Sequence, residues 1–247
     1  MVKNKYIKLL RYTPLKNSNP IYVKYSIPFE KGMTVLDALI YIKENVDHST
    51  TFRHSCRMGN CGACGMVING TPKLACQTLI SETDEIEVKP LENLPVIRDI
   101  VCDFTEFDNK HRKIKPYIIC KDPFTQKLAS EHIQHQDKLY DYLQIALCIK
   151  CGLCFHACPI TSSNTNYLGP QALSQAYRYL ADDRDEDRFE RIEIIDSRNG
   201  CWGCHFAESC SEVCPKGVDP SLGIQLLKRM VMKSRLRGIR IKSVPRL

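Results

Sequence analysis

The cysteines of this chain stand in three short, dense runs, and this clustering limits the fold more than any other feature. Of the 14 cysteines in 247 residues, Cys102 and Cys120 alone lie outside the runs, and we expect both to be buried thiols. Disulfide frameworks are typical of small secreted domains, and this chain is too long to need one. Its first residues, MVKNKYIKLLRYTP, lack the apolar core of a signal peptide. We therefore expect thiols that bind metal in a reducing compartment.

The first run has the spacing C-x4-C-x2-C with a fourth cysteine further on. Its members are Cys56, Cys61, Cys64 and Cys76. This spacing is typical of the plant-type ligand set of a [2Fe–2S] cluster. Three glycines, Gly59, Gly62 and Gly65, let the backbone N–H groups of the loop approach sulfur without a Cβ in the way. Structural zinc is the alternative, although zinc sites usually show paired C-x2-C hooks instead.

The second run matches the bacterial ferredoxin pattern C-x2-C-x2-C-x3-C-P at every position. It consists of Cys148, Cys151, Cys154 and Cys158, followed by Pro159. The third run repeats the pattern through Cys204, Cys210 and Cys214, with Ala207 in place of one cysteine. In two-cluster ferredoxins, the fourth cysteine of each run binds the other cluster. The spacing therefore predicts two further cluster sites, each with ligands from both runs.

Exchange of the last cysteines gives the two ligand sets. A [4Fe–4S] cluster is predicted at Cys148, Cys151, Cys154 and Cys214. The other site keeps Cys158, Cys204 and Cys210, and since the methyl group of Ala207 cannot bind iron, we expect a [3Fe–4S] cluster there. Cys201 leaves an alternative open, because it stands three residues before Cys204. As a fourth ligand it would complete a second [4Fe–4S] cluster; otherwise it is a buried thiol.

The chain around the runs predicts an α+β fold. The stretches KYIKLLRY, IYVKYSIPF and DEIEVKP read as strands, Thr34 to Asp37 as a capping box, and Asn69-Gly70 as a tight hairpin turn. After a linker at about residues 90–100, helical patterns take over, including one over QDKLYDYLQIALC and one that begins at Gly169-Pro170. This organisation predicts a small mixed sheet with one helix, followed by a helical domain.

Charge and hydropathy limit the classes of function. The net charge is +7, and residues 228–247 hold eight Lys or Arg and no acidic residue. Such a tail suits a solvated end, an anionic lipid or partner, or nucleic acid. Each fully thiolate-bound oxidised cluster brings about −2, which offsets much of the excess, so we expect no nucleic-acid partner. No apolar run of about 18 residues is present, so membrane association is expected to depend on partners.

The cysteine runs together resemble one known family. The segments SCRMGNCGACG with Cys76, CIKCGLCFHACP, GPQALSQAYRY and NGCWGCHFAESCSEVCPKGVDP are similar to the iron–sulfur subunit of succinate dehydrogenase and fumarate reductase, respiratory complex II. The resemblance implies a β-grasp plant-type ferredoxin domain over residues 1–95 and an all-α bacterial-type two-cluster ferredoxin domain over residues 96–247. It also implies the cluster order [2Fe–2S], [4Fe–4S], [3Fe–4S] between a flavin and a quinone.

The same resemblance implies a function as an electron relay. An FAD-containing partner subunit would act on succinate or fumarate, while this chain binds no flavin itself. The last cluster would face a membrane anchor and a quinone, with Pro159, His205 and Lys228 near that site and the chain peripheral on the cytoplasmic side of the membrane. The iron–sulfur subunit of another flavin oxidoreductase, of thiol:fumarate or glycolate oxidase type, is the alternative. Tryptophans that many succinate dehydrogenases place after the Cys-Pro pair are replaced here by Ile160-Thr161-Ser162-Ser163.

Overall fold

The computed structural model describes residues 3–13, 19–80, 85–119, 133–186 and 188–236. Two compact units divide the chain: Met1–Phe107 with Ile149–Ala157, and Asp108–Cys148 with Cys158–Leu247. The first unit therefore continues past residue 95 and includes a segment of the second cysteine run. The domain limits 1–95 and 96–247 remain a prediction. Cys120 and the end of the basic tail, residues 237–247, lie outside the described residues.

The first unit is built on a five-stranded mixed sheet. Its strands are β1 (Lys3–Arg11), β2 (Ile21–Phe29), β3 (Gly65–Ile68), β4 (Thr71–Leu74) and β5 (Glu85–Lys89). The strand order is β2-β1-β5-β3-β4, in which β1 and β5 are parallel and the other neighbours antiparallel. A short pair, β6 (Val96–Arg98) and β7 (Val101–Cys102), forms a separate two-stranded sheet. This pair lies in the stretch that the sequence predicted to be a linker.

Two local predictions are confirmed in the first unit. Helix α1 (Val35–Tyr41) begins with the predicted capping box: Thr34 Oγ1 accepts from Asp37 N–H, and the Asp37 carboxylate accepts from Thr34 N–H. Asn69 and Gly70 both have positive φ, as a type I′ hairpin turn requires. Buried side chains of α1 such as Leu36 and Leu39 are nearly inaccessible to solvent, so this helix contributes to the core of the first unit.

The described residues of the second unit form helices joined by loops, with no β-strand among them. The helices with eight residues or more are α2 (Thr105–Lys113, which begins in the first unit), α7 (Pro170–Ala181), α8 (Arg188–Ile195) and α10 (Pro220–Leu236). Shorter ones are α3 (Gln136–Tyr140), α4 (Leu143–Ala146), α6 (Pro159–Ser163) and α9 (Ser209–Glu212), and α5 (Leu153–Ala157) belongs to the first unit. Almost every residue of α7 is buried, which places this helix at the centre of the core.

Close helix packing and a buried ion pair stabilise the second unit. Gly223 of α10 has no side chain, and a Cβ there would lie 3.3 Å from Ile145 and 3.4 Å from Ser174, so α10 packs closely on its neighbours. The guanidinium of Arg191 and the carboxylate of Asp185 form an ion pair with no exposed side-chain surface, at 2.5 Å. Arg191 also donates to backbone carbonyls before α3, including that of Ile114 at 3.0 Å. No helix among the described residues has the length and apolarity to cross a membrane.

Candidate iron–sulfur centres

The structure brings the four cysteines of the first run together. Cys56, Cys61 and Cys64 lie on the loop before β3, and Cys76 lies on a single helical turn after β4. The backbone N–H of Ala75 donates to the Cys64 carbonyl at 3.0 Å, so the turn is tied to the loop. The side chain of Cys64 is next to Cys76 and Cys61, and that of Cys56 is next to Cys61. Cys64 and Cys76 are buried, whereas Cys61 is exposed.

Backbone N–H groups of the loop converge on sulfur. Asn60 N–H and Cys61 N–H donate to Cys56 Sγ at 3.3 and 3.2 Å, and Ala63 N–H donates to Cys61 Sγ at 3.5 Å. N–H groups of Met58, Asn60 and Cys61 lower the pKa of Cys56 to about 6, and burial raises the pKa of Cys64 to about 12. Such donors suit an anionic group at this position. The loop therefore fits the [2Fe–2S] cluster that its spacing predicts.

Gly62 forms a turn and also lets this loop lie close to another segment of backbone. Its φ is +73°, and a Cβ there would lie 2.9 Å from the Ile149 carbonyl oxygen and 3.0 Å from Cys151 Cα. A Cβ at Gly65 would lie 3.0 Å from the Cys151 carbonyl oxygen. These glycines therefore let the first cysteine loop contact the backbone of the second run. The sequence analysis assigned these glycines to the approach of backbone N–H groups to sulfur, and it did not indicate this neighbour.

The second run is divided between the two compact units. Cys151 and Cys154, each 9% exposed, belong to the first unit, and Cys148 and Cys214, both half-buried, belong to the second. In the second unit, Gln144 Nε2 donates to the Gly217 carbonyl at 2.7 Å, which ties the chain before Cys148 to the turn after Cys214.

Helix α5, which carries Cys154, ends against two polar groups of residues 92 and 93. Asn93 Nδ2 donates to the carbonyls of Phe155 and His156 at 3.1 and 2.8 Å. Glu92 N–H donates to His156 Nδ1 at 2.9 Å, and burial lowers the pKa of His156. Carbonyls at a helix end have no partner within the helix, so Asn93 stabilises the end of α5. Sequence reasoning missed Asn93, because it lies more than fifty positions from the run.

The three cysteines of the third predicted site line one cavity. Cys158 and Cys210 are buried and Cys204 is half-buried, and all three face a cavity that Ala207 also lines. Phe206 N–H donates to Cys204 Sγ at 3.4 Å. Burial raises the pKa of Cys210 to about 12. Three thiols and a methyl group around one cavity fit a cluster that has three cysteine ligands.

Two further cysteines of the described residues, Cys201 and Cys102, are also buried. Cys201 is fully buried in the core, and the third cavity is lined without it. Burial and the nearby Asp196 carboxylate raise the pKa of Cys201 to about 12. Cys102 is buried and donates to the Leu91 carbonyl at 3.6 Å. Cys102 is therefore buried as expected, and the exclusion of Cys201 from the third cluster stays a prediction.

Two of the three residues predicted near a quinone line the third cavity. These are Pro159 and His205. Lys228 Nζ, on α10, donates to the Cys204 carbonyl at 2.9 Å, so it contacts the backbone of a predicted ligand. The structure adds Tyr167, a buried lining residue that sequence reasoning missed. No spacing rule connects it to the cysteines; the one signal is its place just before the Leu168-Gly169-Pro170 start of α7.

A site for a single metal ion, such as zinc, differs from a cluster site. Within the described ranges, no three His, Cys, Asp or Glu side chains are placed to hold one metal ion, and none of the cysteines there forms a disulfide. The measurement that separates zinc from a cluster is chemical, because a cluster contains iron and acid-labile sulfide.

Comparison with known proteins gives two family models and several close relatives. The model of a 2Fe-2S iron-sulfur cluster binding domain matches residues 6–109, and that of a 4Fe-4S dicluster domain matches residues 144–218. The fumarate reductase iron-sulfur subunit of Escherichia coli O6:H1 is 42% identical over 225 residues, which is 91% of each chain. That of Mycobacterium tuberculosis is 39% identical over 90% of each chain.

A succinate dehydrogenase relative and a solved structure agree with these matches. The succinate dehydrogenase iron-sulfur subunit of Paracoccus denitrificans is 37% identical over 91% of this chain and 86% of its own length. A chain in the structure of the Mycobacterium smegmatis Sdh1 complex in the apo form superposes with a TM-score of 0.84 over 98% of this chain and 100% of that chain. At 23% identity, that likeness shows the fold alone. The resemblance found in the cysteine runs is thereby confirmed: this chain belongs to the family of iron–sulfur subunits of fumarate reductases and succinate dehydrogenases.

Proposed function

We propose that this chain carries electrons one at a time between an FAD-containing subunit, which acts on succinate or fumarate, and a quinone in the membrane. The observation that carries the proposal is the third cavity, where Cys158, Cys204 and Cys210 meet beside Ala207. Among the described residues, no three His, Cys, Asp or Glu side chains are placed to hold one metal ion, so these thiols do not suit structural zinc. In a chain of this family, they suit a cluster that exchanges single electrons.

The ligand sets follow from the spacing of the runs. The [2Fe–2S] cluster is assigned to Cys56, Cys61, Cys64 and Cys76, the [4Fe–4S] cluster to Cys148, Cys151, Cys154 and Cys214, and the [3Fe–4S] cluster to Cys158, Cys204 and Cys210. When bound, these clusters supply reversible one-electron oxidation and reduction. The residues of the chain hold them, donate N–H groups to sulfur, and exclude water. Cys64, Cys158 and Cys210 are buried, which supports the last of these roles.

The strand order and the helices support a finer assignment of the fold. The order β2-β1-β5-β3-β4, with α1 between β2 and β3, supports a β-grasp ferredoxin domain in the first unit. The described helices of the second unit support an all-α two-cluster ferredoxin domain.

Partners are assigned from the positions of the exposed Cys61 and the third cavity. A flavoprotein subunit would contact the side of the exposed Cys61, and a membrane anchor and quinone would lie near the third cavity, with Pro159, His205 and Lys228 close by. The chain would then be peripheral, on the cytoplasmic side of the membrane. His205 is exposed at the cavity, so its imidazole is open to solvent and to a bound quinone.

The test uses the full chain purified with its partner subunits. The air-oxidised protein should show the EPR signal of an oxidised [3Fe–4S] cluster, together with iron and acid-labile sulfide. Ala207→Cys should supply a fourth ligand and abolish that signal, while Cys201→Ala should leave it unchanged. A protein with zinc and little iron would refute the function. If Cys201→Ala changes the cluster type, the ligand set of the third site is wrong.

A further inference from the structure

Tyr167 is a buried aromatic residue beside the three cysteines of the third site. Its side chain is 1% exposed, and it lines the same cavity as Cys158, Cys204 and Cys210. Its side chain lies next to that of Cys204. A buried tyrosine hydroxyl normally needs a hydrogen-bond partner. The side chains of Cys158, Cys204 and Cys210 all lie near it.

The position of the Tyr167 ring is fixed from two sides. Tyr167 N–H donates to the Asn164 carbonyl at 3.1 Å, and Leu168 N–H donates to the Asn199 carbonyl at 2.9 Å, so the backbone is tied on both sides of the ring. A Cβ at Gly203 would lie 2.9 Å from Tyr167 Cδ2, so the ring packs directly on the backbone next to Cys204. The hydroxyl therefore has little freedom to turn away from the sulfurs.

The hydroxyl is a donor rather than an acceptor in this place. A cysteine sulfur that binds iron carries no hydrogen, so the phenol O–H beside it is the group that can donate. An O–H group in a buried site makes a stronger electrostatic contact than the same group in water.

We propose that Tyr167 is a positioning residue that raises the reduction potential of the third cluster by donating an O–H···S hydrogen bond at Cys204. This rests on the proposed function. Reduction adds one negative charge to the site, so a donor to sulfur stabilises the reduced state more than the oxidised state. The hydrogen bond moves no proton and breaks no covalent bond. It changes only the energy of the electron that the site accepts.

The competing explanation is that Tyr167 only fills the core. Tyr167→Phe separates the two, because it keeps the ring and removes the hydroxyl. Tyr177→Phe is the matched control: that residue is also buried, lies in the same unit, and donates its hydroxyl to the Asp141 carbonyl at 3.1 Å. Both variants lose one tyrosine hydroxyl, but only one of them loses a donor at sulfur.

The experiment is an EPR-monitored redox titration of the full chain in its complex. Tyr167→Phe should lower the midpoint potential of the three-iron signal, with a roughly tenfold smaller ratio of reduced to oxidised cluster at a fixed potential, which is about 59 mV for one electron. Tyr177→Phe should leave the potential unchanged. Equal potentials in wild type and Tyr167→Phe, or equal shifts in both variants, would overturn the proposal.

A second variant covers the case in which Tyr167→Phe does not assemble its cluster. Replacement of Tyr167 by 3-fluorotyrosine keeps the hydroxyl and makes it a stronger donor, so the potential should rise; an unchanged or lower potential overturns the proposal. A wild-type complex that has no three-iron signal at all would refute the proposed function instead, so the two failures are distinguishable.

Discussion

Gly62→Ala is the most direct test of the contact between the first and second cysteine runs. Gly62→Ala places a methyl group 2.9 Å from the Ile149 carbonyl oxygen and 3.0 Å from Cys151 Cα, although carbon contacts prefer about 3.5–4.0 Å. Both of these neighbours are backbone atoms. The segment that carries Cys151 must therefore move by roughly half an ångström.

The cost of this change has two parts. An alanine at the left-handed φ of +73° costs about 1–2 kcal/mol, and overpacking against backbone costs about 1–3 kcal/mol. Gly59→Ala is the matched control, because it has a similar φ of +69° in the same loop, but the atoms nearest to its Cβ would belong to the flexible side chain of Gln77. Gly65→Ala tests the contact with Cys151 without a left-handed residue. The expected order of destabilisation is therefore Gly62→Ala first, with Gly59→Ala carrying mainly the backbone part.

The assay follows iron release to a chelator in mild urea, under anaerobic conditions, by the loss of visible absorption. Cluster loss is irreversible, so the rate is the appropriate quantity. If 1.4 kcal/mol of the difference appears in the barrier, Gly62→Ala should release iron about tenfold faster than Gly59→Ala. Equal rates for the two variants would show that the close approach to Cys151 is unimportant and refute the argument.

Two further predictions concern polar contacts away from the cysteines. Arg191→Met leaves the Asp185 carboxylate buried without its cation, a destabilisation of about 3–5 kcal/mol, against less than about 1 kcal/mol for the exposed ion-pair residue in Lys138→Met. In the same urea assay, Arg191→Met should therefore release iron much faster than Lys138→Met. Asn93→Asp keeps the shape of the side chain but loses both N–H donors at the end of α5, so it should destabilise the folded protein by about 1–3 kcal/mol. The effect should exceed that of Asn93→Ala, because a carboxylate is unfavourable at a helix C-terminus. Equal effects of the two Asn93 variants would contradict this explanation.

Features that depend on neighbours in the chain could be predicted from the sequence. The capping box at Thr34 and the hairpin turn at Asn69-Gly70 each involve residues no more than three positions apart, and both formed as expected. The cysteines of the first run are similar: three of the four lie within nine residues, so short loops bring them together. Local spacing is thus a reliable guide where the loop is too short for the chain to do otherwise.

Predictions failed where distant contacts decide the local conformation. The sequence predicted one helix over residues 136–148, but the structure has α3 and α4 with a break at Tyr142. Tyr142 has φ −135° and ψ −1°, outside the helical region. It is buried, and its hydroxyl donates to Gln134 Oε1 at 2.8 Å. Burial of this side chain overrides the helical pattern of the sequence.

The same distinction explains which parts of each cluster site a sequence reveals. Thiol ligands are visible as spacing, because each run must wrap its own corner of a cluster. Groups that tune or position the cluster need only reach it in space: Tyr167 precedes Cys204 by more than thirty residues, and Asn93 precedes α5 by about sixty. Cluster type was therefore accessible from the ligand pattern, whereas reduction potential was not, since it depends on donors such as the Tyr167 hydroxyl that only the folded chain brings to sulfur.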